Sequence, residues 1–368
     1  MEPSIEKGKF RARLGATLDS TFFCQSGMLL RSGCRLFASV ASHDASARLA
    51  AAVTPAVYEQ LSSHGYAVVD NCLSEDHSAA LRAEIVALHE GKHTLPNATL
   101  LVRGNVTEKL AKAGIFEAEA HALSDAAREL APRVCSFAAD RTLLTLLTAY
   151  AANTRAQSLH FQSVKLQFSS GSGACFPLHY DTDESLDGRK ITAISYLNPG
   201  WEPSHGGELV LYPSPLSGAA VTIAPLSGRL VLFHAPSSLH RVRPSFVPRA
   251  CVTQWLFSRD AAATSSSSSS GELGWPPRGD CTLATLHHPK VVKHAAKAVR
   301  RSAWAASLVA AHPHGSALNA ALSSLHSDVS AIEAALEGRY AGAREMLRAL
   351  RDRAEAQDAL EEARGHPT

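Results

Sequence analysis

The sequence predicts an α+β fold: helices first, then a β sandwich or jelly roll, then a helical extension. Three observations carry this. Helical apolar spacings occupy much of residues 79–150, short apolar or alternating runs recur between turn residues over about 157–258, and apolar residues at steps of four and three run on from residue 318.

Residues 1–52 read as a flexible tail or a transit peptide. From Met28 the chain carries Arg31, Arg35 and Arg48 against Asp44, with many Ser and Ala, and Glu2, Glu6 and Asp19 come before it. Met28 is therefore a candidate start beside Met1, with entry into a mitochondrion or plastid as its consequence and a cytoplasmic tail as the alternative. A main domain is expected over 53–260. Gly65 to Asp70 reads as a short strand, and Ser74 with Asp76 opens a helix whose apolar face is Leu81, Ile85 and Leu88. Residues 91–116 show no firm period. From about His121 to Tyr150 a second helical region places Leu130, Val134, Phe137, Leu143, Leu146 and Leu147 at helical spacings. Strands are then expected at 164–168, 191–197, 208–212, 220–224, 229–234, 239–242 and 251–257, a density that suits a sandwich or jelly roll with its core at about 157–258.

The serine run Ser265 to Ser270, with Gly271 and Pro276-Pro277, marks 261–280 as a linker across which few contacts are expected. In the helical extension, 281–368, Leu318, Leu322, Leu325, Val329, Ile332, Leu336, Tyr340, Ala343, Leu347 and Leu350 form a heptad seam. A homodimeric coiled coil or a hairpin folded on its own chain would satisfy it. Gly338 and Gly342 interrupt the seam and favour the hairpin.

Composition excludes several classes. Hydrophobic residues make up 45%, ordinary for a globular chain, and 36 Lys plus Arg against 34 Asp plus Glu give a net charge of +2, which offers no general attraction to nucleic acid. No apolar run is long enough to span a bilayer. Seven scattered cysteines without a C-x-x-C pair suggest neither a disulfide framework nor a zinc knuckle, so the secretory pathway is not expected.

The chemistry concentrates in Phe176-Pro-Leu-His-Tyr-Asp181 and in the stretch from Leu239-His240 to Arg249. A non-haem Fe(II) site needs two neutral imidazoles and one carboxylate on one face of the metal, leaving the other face open. His179 and Asp181 share a side of an extended segment, while Tyr180 points away. His240 follows 61 residues later, where a distant strand supplies a third ligand, and nine residues on Arg249 offers a planar fork that takes a carboxylate through two hydrogen bonds. Singly these pieces carry little, because a His-x-Asp arises readily by chance among 18 histidines; their order and their setting among strands carry the reading. His287-His288 and His312-Pro-His314 lack an acidic partner in sequence, and no G-x-S-x-G elbow occurs.

Through HYDTDESLDGRKITAISYLN, SHGGELVLYP and LHRVRPSFVPRACVTQWLF, the segment 163–258 resembles the prolyl 4-hydroxylase-like 2-oxoglutarate oxygenases, and within them the hypoxia-inducible-factor prolyl hydroxylases. The resemblance implies a double-stranded β-helix with supporting helices, Fe(II) on His179, Asp181 and His240, and 2-oxoglutarate with its far carboxylate on Arg249, Thr253 and Tyr196 beside Leu209. It further implies dioxygen as oxidant, ascorbate keeping the iron reduced, release of succinate and carbon dioxide, and hydroxylation of a prolyl residue in a protein or peptide. Two departures stand out: Phe168 aligns with a tyrosine of the oxygen sensors, and the loop carrying Asp183, Glu184 and Asp187 is one residue longer. Residues 92–116 are the candidate mobile loop beside the substrate, with Arg103 and Arg189 at its rim. Rival readings are a nucleic-acid or small-molecule oxygenase of the same fold, or a non-catalytic scaffold; the last strand has no second arginine for the first, and no ligand is missing as the last would require.

Overall fold

The structure, a computed structural model, describes residues 35–103, 106–152, 158–182, 187–216, 218–259 and 274–365. Helices α1 (Arg35–Ala52), α2 (Pro55–His64) and α3 (Glu75–Glu90) surround the short strand β1 (Tyr66–Val69). Hairpin strands β2 (Leu95–Arg103) and β3 (Val106–Glu119) follow, then helices α4 (Asp125–Leu130), α5 (Pro132–Ala139) and α6 (Thr142–Ala152). The strand-rich half comprises β4 (Phe161–Ser169), β5 (Ala174–His179), β6 (Arg189–Tyr196), β7 (Leu209–Tyr212), β8 (Val221–Ile223), β9 (Leu230–His234), β10 (Leu239–Ser245) and β11 (Arg249–Phe257). A two-residue strand β12 (Gly279–Asp280) leads to α7 (Leu283–His287), α8 (Val292–Val299), α9 (Arg301–Ala311) and α10 (Ser316–Glu337), then β13 (Tyr340–Ala341) and α11 (Ala343–Gly365).

Two antiparallel sheets face each other. The larger has the order β1-β9-β6-β11-β4-β3-β2 and the smaller β5-β10-β7-β8. Between them pack Ile194, Tyr196, Leu209, Leu211, Ile223, Val231, Phe233 and Cys251. The outer face of the large sheet is covered by α3, α4 and α5 through Leu81, Ile85, Leu88 and Val134, which meet Val164, Leu166, Ala250 and Val252. Every residue of β11 is buried because both faces of the sheet are covered, so this strand shows no polar alternation. Helix α3 starts where expected: the Ser74 side chain accepts from His77 N, a cap contributing about 1 kcal/mol.

Several expectations change. The tail is helical from Arg35, and its end is held by Leu49, 9% exposed, and by Ser46 Oγ donating to Asp140; residues 1–34, Met28 among them, lie outside the described residues. Residues 91–116 are chiefly the β2–β3 hairpin, whose alternation is broken by Pro96 and by a register shift between Pro96 and Ala98. Pro132 and Asp140 divide the second helical region into three helices, and Leu130 ends up 45% exposed. Strand β5 was missed because Pro177 interrupts it, which is tolerated at the edge of the small sheet.

The serine run lies outside the described residues, but the expectation of few contacts beyond it does not hold. The seam of α10 and α11 folds back on the chain and joins α8 and α9 in a cluster with Leu178, Val210, Tyr212, Leu216 and Leu239 of the small sheet and its loops. An apolar sheet face must be covered, and the C-terminal helices cover this one. Among the described residues no helix is long and apolar enough to cross a membrane.

Candidate active site

His179 ends β5 and His240 lies near the start of β10, directly opposite in register. Asp181 follows just beyond the strand. His179 Nδ1 lies 2.7 Å from Pro177 O, and His240 Nδ1 lies 3.0 Å from Ser238 O. A carbonyl only accepts, so each Nδ1 carries the proton and donates, leaving both Nε2 lone pairs free. Those Nε2 atoms stand 3.7 and 3.8 Å from Asp181 Oδ1. The three residues form the one cluster of metal-ligating groups among the described residues.

The other Asp181 oxygen is already engaged. Oδ2 accepts from Thr192 Oγ1 and from Trp255 Nε1, the latter at 3.3 Å. Oδ1 is thus left facing the two imidazoles. Burial alone would raise the Asp181 pKa; the adjacent His179 and His240 rings and the Arg189 guanidinium overcome it and hold the carboxyl well below the usual range. Burial, reinforced by His179, pushes His240 down to about 4, so its imidazole is neutral at pH 7. An oriented two-histidine, one-carboxylate set fits Fe(II) with positions left open.

Arg249 opens β11, its guanidinium 5.0 Å from the ring centroid of Tyr196 on β6. Both are buried, yet Arg249 Nε and Tyr196 Oη have no hydrogen-bond partner among the described residues. Burial raises the Tyr196 pKa against the pull of Arg249, so its hydroxyl remains a donor at neutral pH. Buried, unpartnered donors are costly, and a carboxylate is the ligand that satisfies both. Thr253 is buried four residues along the same strand face, its Oγ1 3.4 Å from Gln167 Oε1, and Leu209 is fully buried in the cluster with Tyr196. Gly207 at φ +80° makes room: a Cβ there would stand 2.9 Å from Arg249 Cδ.

Other candidates settle as follows. Phe168 pairs with Ala250 and packs on His89 outside the sheet, ring centroids 4.6 Å apart. The aligned tyrosine contact is therefore not at this position; one residue changes the face, and Gln167 and Ser169 are the β4 residues on the Arg249 side. Tyr180 turns away from the ligands to the C-terminal helices, under Lys293. Arg189 lies beside the metal cluster, donating to Asp181 O at 3.0 Å and stacking on Trp255 at 4.0 Å. The side chain of Arg103, and Asp183 with Glu184, fall outside the described residues. His312 is occupied in structure, with Nδ1 2.9 Å from Leu308 O and Nε2 3.0 Å from Thr99 of the hairpin. Thr192, Trp255 and Gln167 were not singled out from sequence, although strand parity counted from Tyr196 and Arg249 reaches the first two.

With this geometry in place, residues 164–257 match the 2OG-Fe(II) oxygenase superfamily, so the chain carries a 2OG-Fe(II) oxygenase domain. Its homologues include prolyl hydroxylases. Prolyl hydroxylase EGLN3 of Mus musculus is 36% identical over 95 residues, 25% of this chain and 39% of that protein. The hypoxia-inducible factor prolyl hydroxylase of Caenorhabditis elegans is 26% identical over 243 residues, 63% of this chain and 32% of that protein. A solved prolyl 4-hydroxylase from Phytophthora capsici is 26% identical with a TM-score of 0.64, and the match covers 84% of this chain and 95% of that one. The chain thus spans less than two-fifths of the length of these two curated relatives.

Proposed function

We propose that this protein is an Fe(II)- and 2-oxoglutarate-dependent dioxygenase that hydroxylates a prolyl residue in a protein or peptide, with two facing sheets closing as a double-stranded β-helix. The observation that carries the reading is the convergence of His179 Nε2, His240 Nε2 and Asp181 Oδ1, each with its second polar atom already engaged. His179, Asp181 and His240 would hold the iron, and Arg249, Tyr196 and Thr253 the far carboxylate of 2-oxoglutarate, beside Leu209. When bound, iron and cosubstrate would supply the oxidative chemistry with dioxygen as oxidant: one oxygen atom goes into the succinate formed with carbon dioxide from 2-oxoglutarate, and the other into the hydroxyl of the substrate. The chain orients the three ligands, neutralises the carboxylate with a buried guanidinium, and excludes water with the apolar side chains between the sheets.

Support for the prolyl substrate comes from the prolyl hydroxylase homologues. Incubation with 2-oxoglutarate, Fe(II) and ascorbate should add one oxygen to members of a proline-containing peptide library and none to free proline. Turnover of free proline or another small metabolite with no peptide modified would sink the substrate assignment. Asp181→Ala should weaken Co(II) or Mn(II) binding by more than about 100-fold, beyond the range of about 10- to 100-fold typical of lost outer partners. Arg249→Lys should weaken 2-oxoglutarate binding about tenfold or more while metal affinity holds, because a lysine offers a point charge without the fork; equal affinities in calorimetry would remove Arg249 from its role.

A further inference from the structure

Arg249 is held from both sides by a pair of residues that the metal and carboxylate sites do not use. Arg82, on α3, sends Nη2 to Pro248 O at 2.7 Å and Nη1 to Asn198 Oδ1 at 2.9 Å, with a longer contact to Leu197 O at 3.3 Å. Asn198 Oδ1 also accepts from Ala250 N at 2.8 Å, and its Nδ2 donates to Pro225 O at 2.9 Å. The residues immediately before and after Arg249 are thus tied to one hydrogen-bonded unit, which in turn is anchored to a helix and to the loop after β8. None of the acceptors of Arg82 is a carboxylate. A charged guanidinium has been placed on carbonyl and amide oxygens, where its planar fork reaches two separated acceptors at once and a lysine would reach one.

The same unit borders solvent. Arg82, Asn198 and Pro248 line a cleft of about 200 Å³ together with Trp201, His205 and Arg249. Arg249 therefore stands between two environments. Its guanidinium lies against Tyr196 on the inside, while the backbone that carries it is fixed from outside by Arg82 and Asn198.

We propose that Arg82 and Asn198 are positioning residues for Arg249, setting the affinity for 2-oxoglutarate from outside the sheet without touching it. This rests on the reading that Arg249 binds the cosubstrate carboxylate. A buried charged pair is sensitive to small displacements, and supporting residues of this kind commonly change affinity about 10- to 100-fold.

The test is calorimetric titration of 2-oxoglutarate into the full-length Mn(II)-loaded protein, with Mn(II) affinity and thermal unfolding measured alongside. Arg82→Ala and Asn198→Ala should raise the 2-oxoglutarate dissociation constant about tenfold and leave Mn(II) affinity unchanged, with Arg82→Lys in between. Because the cleft opens onto the vacated position, millimolar guanidinium ion should restore most of the affinity of Arg82→Ala and do nothing for wild type. The proposal is overturned by folded variants that bind 2-oxoglutarate within twofold of wild type, by parallel loss of Mn(II) and 2-oxoglutarate affinity, or by failure of guanidinium to rescue. If Arg82→Ala does not fold, Arg82→Lys and Asn198→Ala decide by the same criteria. A wild-type protein that binds Mn(II) but not 2-oxoglutarate would instead remove the assignment of Arg249 itself.

Discussion

At Asp181 the two carboxylate oxygens have been given different tasks. Oδ2 is engaged by Thr192 and Trp255, and Oδ1 faces the histidines. The division fixes which lone pairs a metal meets, so the hydroxyl of Thr192 should matter although it ligates nothing. Thr192→Val preserves shape and removes the donor. We expect it to weaken Mn(II) binding about tenfold, within the range of about 10- to 100-fold for outer partners, with little change in thermal stability; unchanged binding in a folded variant would show that Trp255 suffices. This layer explains what sequence reading reached and what it did not. His179, Asp181, His240 and Arg249 stand out because their residue types and order are unusual together. Threonine and tryptophan are ordinary strand residues, and only the register Trp255 opposite Thr192 brings them to one carboxylate.

The β2–β3 hairpin poses the problem of buried charge at the scale of an element. Lys112 Nζ donates to Asn97 Oδ1, Asn97 donates to Glu117, and Lys165 bridges Glu117 at 3.1 Å and Glu119 at 3.3 Å. The chain of contacts ties the hairpin to β4, and Lys112 lies 5.1 Å from the Phe176 ring centroid. Burial pushes the Lys112 pKa down to about 8, partly opposed by Glu117 and assisted by Lys165. An unfolded lysine titrates near 10.4. Between those values the unfolded chain holds more protons, so this group's contribution makes stability rise with pH from about 8 to about 10.4. Lys112→Met should flatten that rise, measured as the difference in denaturation midpoint between wild type and variant across the same window; identical slopes would mean that Lys112 is not strained by burial. The hairpin also marks where periodicity stops informing. Helix α3 was legible because its apolar spacing has a period, and the strands 191–197 and 251–257 because they are short apolar runs bounded by turn residues, whereas β2 carries a proline and a bulge and β5 is an edge strand with Pro177.

Across the whole molecule, the C-terminal helices belong to the same packing unit as the small sheet. Arg300 is fully buried, donating to Pro215 O, Gly218 O and Asp358, with its guanidinium 4.2 Å from the Tyr212 ring. Removing residues 274–368 would expose Leu178, Val210, Tyr212 and Leu239 together. We therefore expect the truncated chain to aggregate or to lose its cooperative melt; a soluble, cooperatively folding product would show that the helices are dispensable. The composition of the serine run suggested a boundary, but composition reports the stiffness of a connection and says nothing of what packs beyond it. One contact has a consequence in time. Leu178 N, one residue before His179, donates to Ser307 Oγ at 2.9 Å, 129 residues further along the chain. During synthesis both histidines emerge well before the helix that closes the open edge of β5, and elongation at about 5–20 residues per second separates the two events by several seconds. For that interval the nascent chain has all three residues of the proposed metal site, but the strand bearing His179 has an unpaired backbone edge, so stable metal loading should belong to the finished polypeptide.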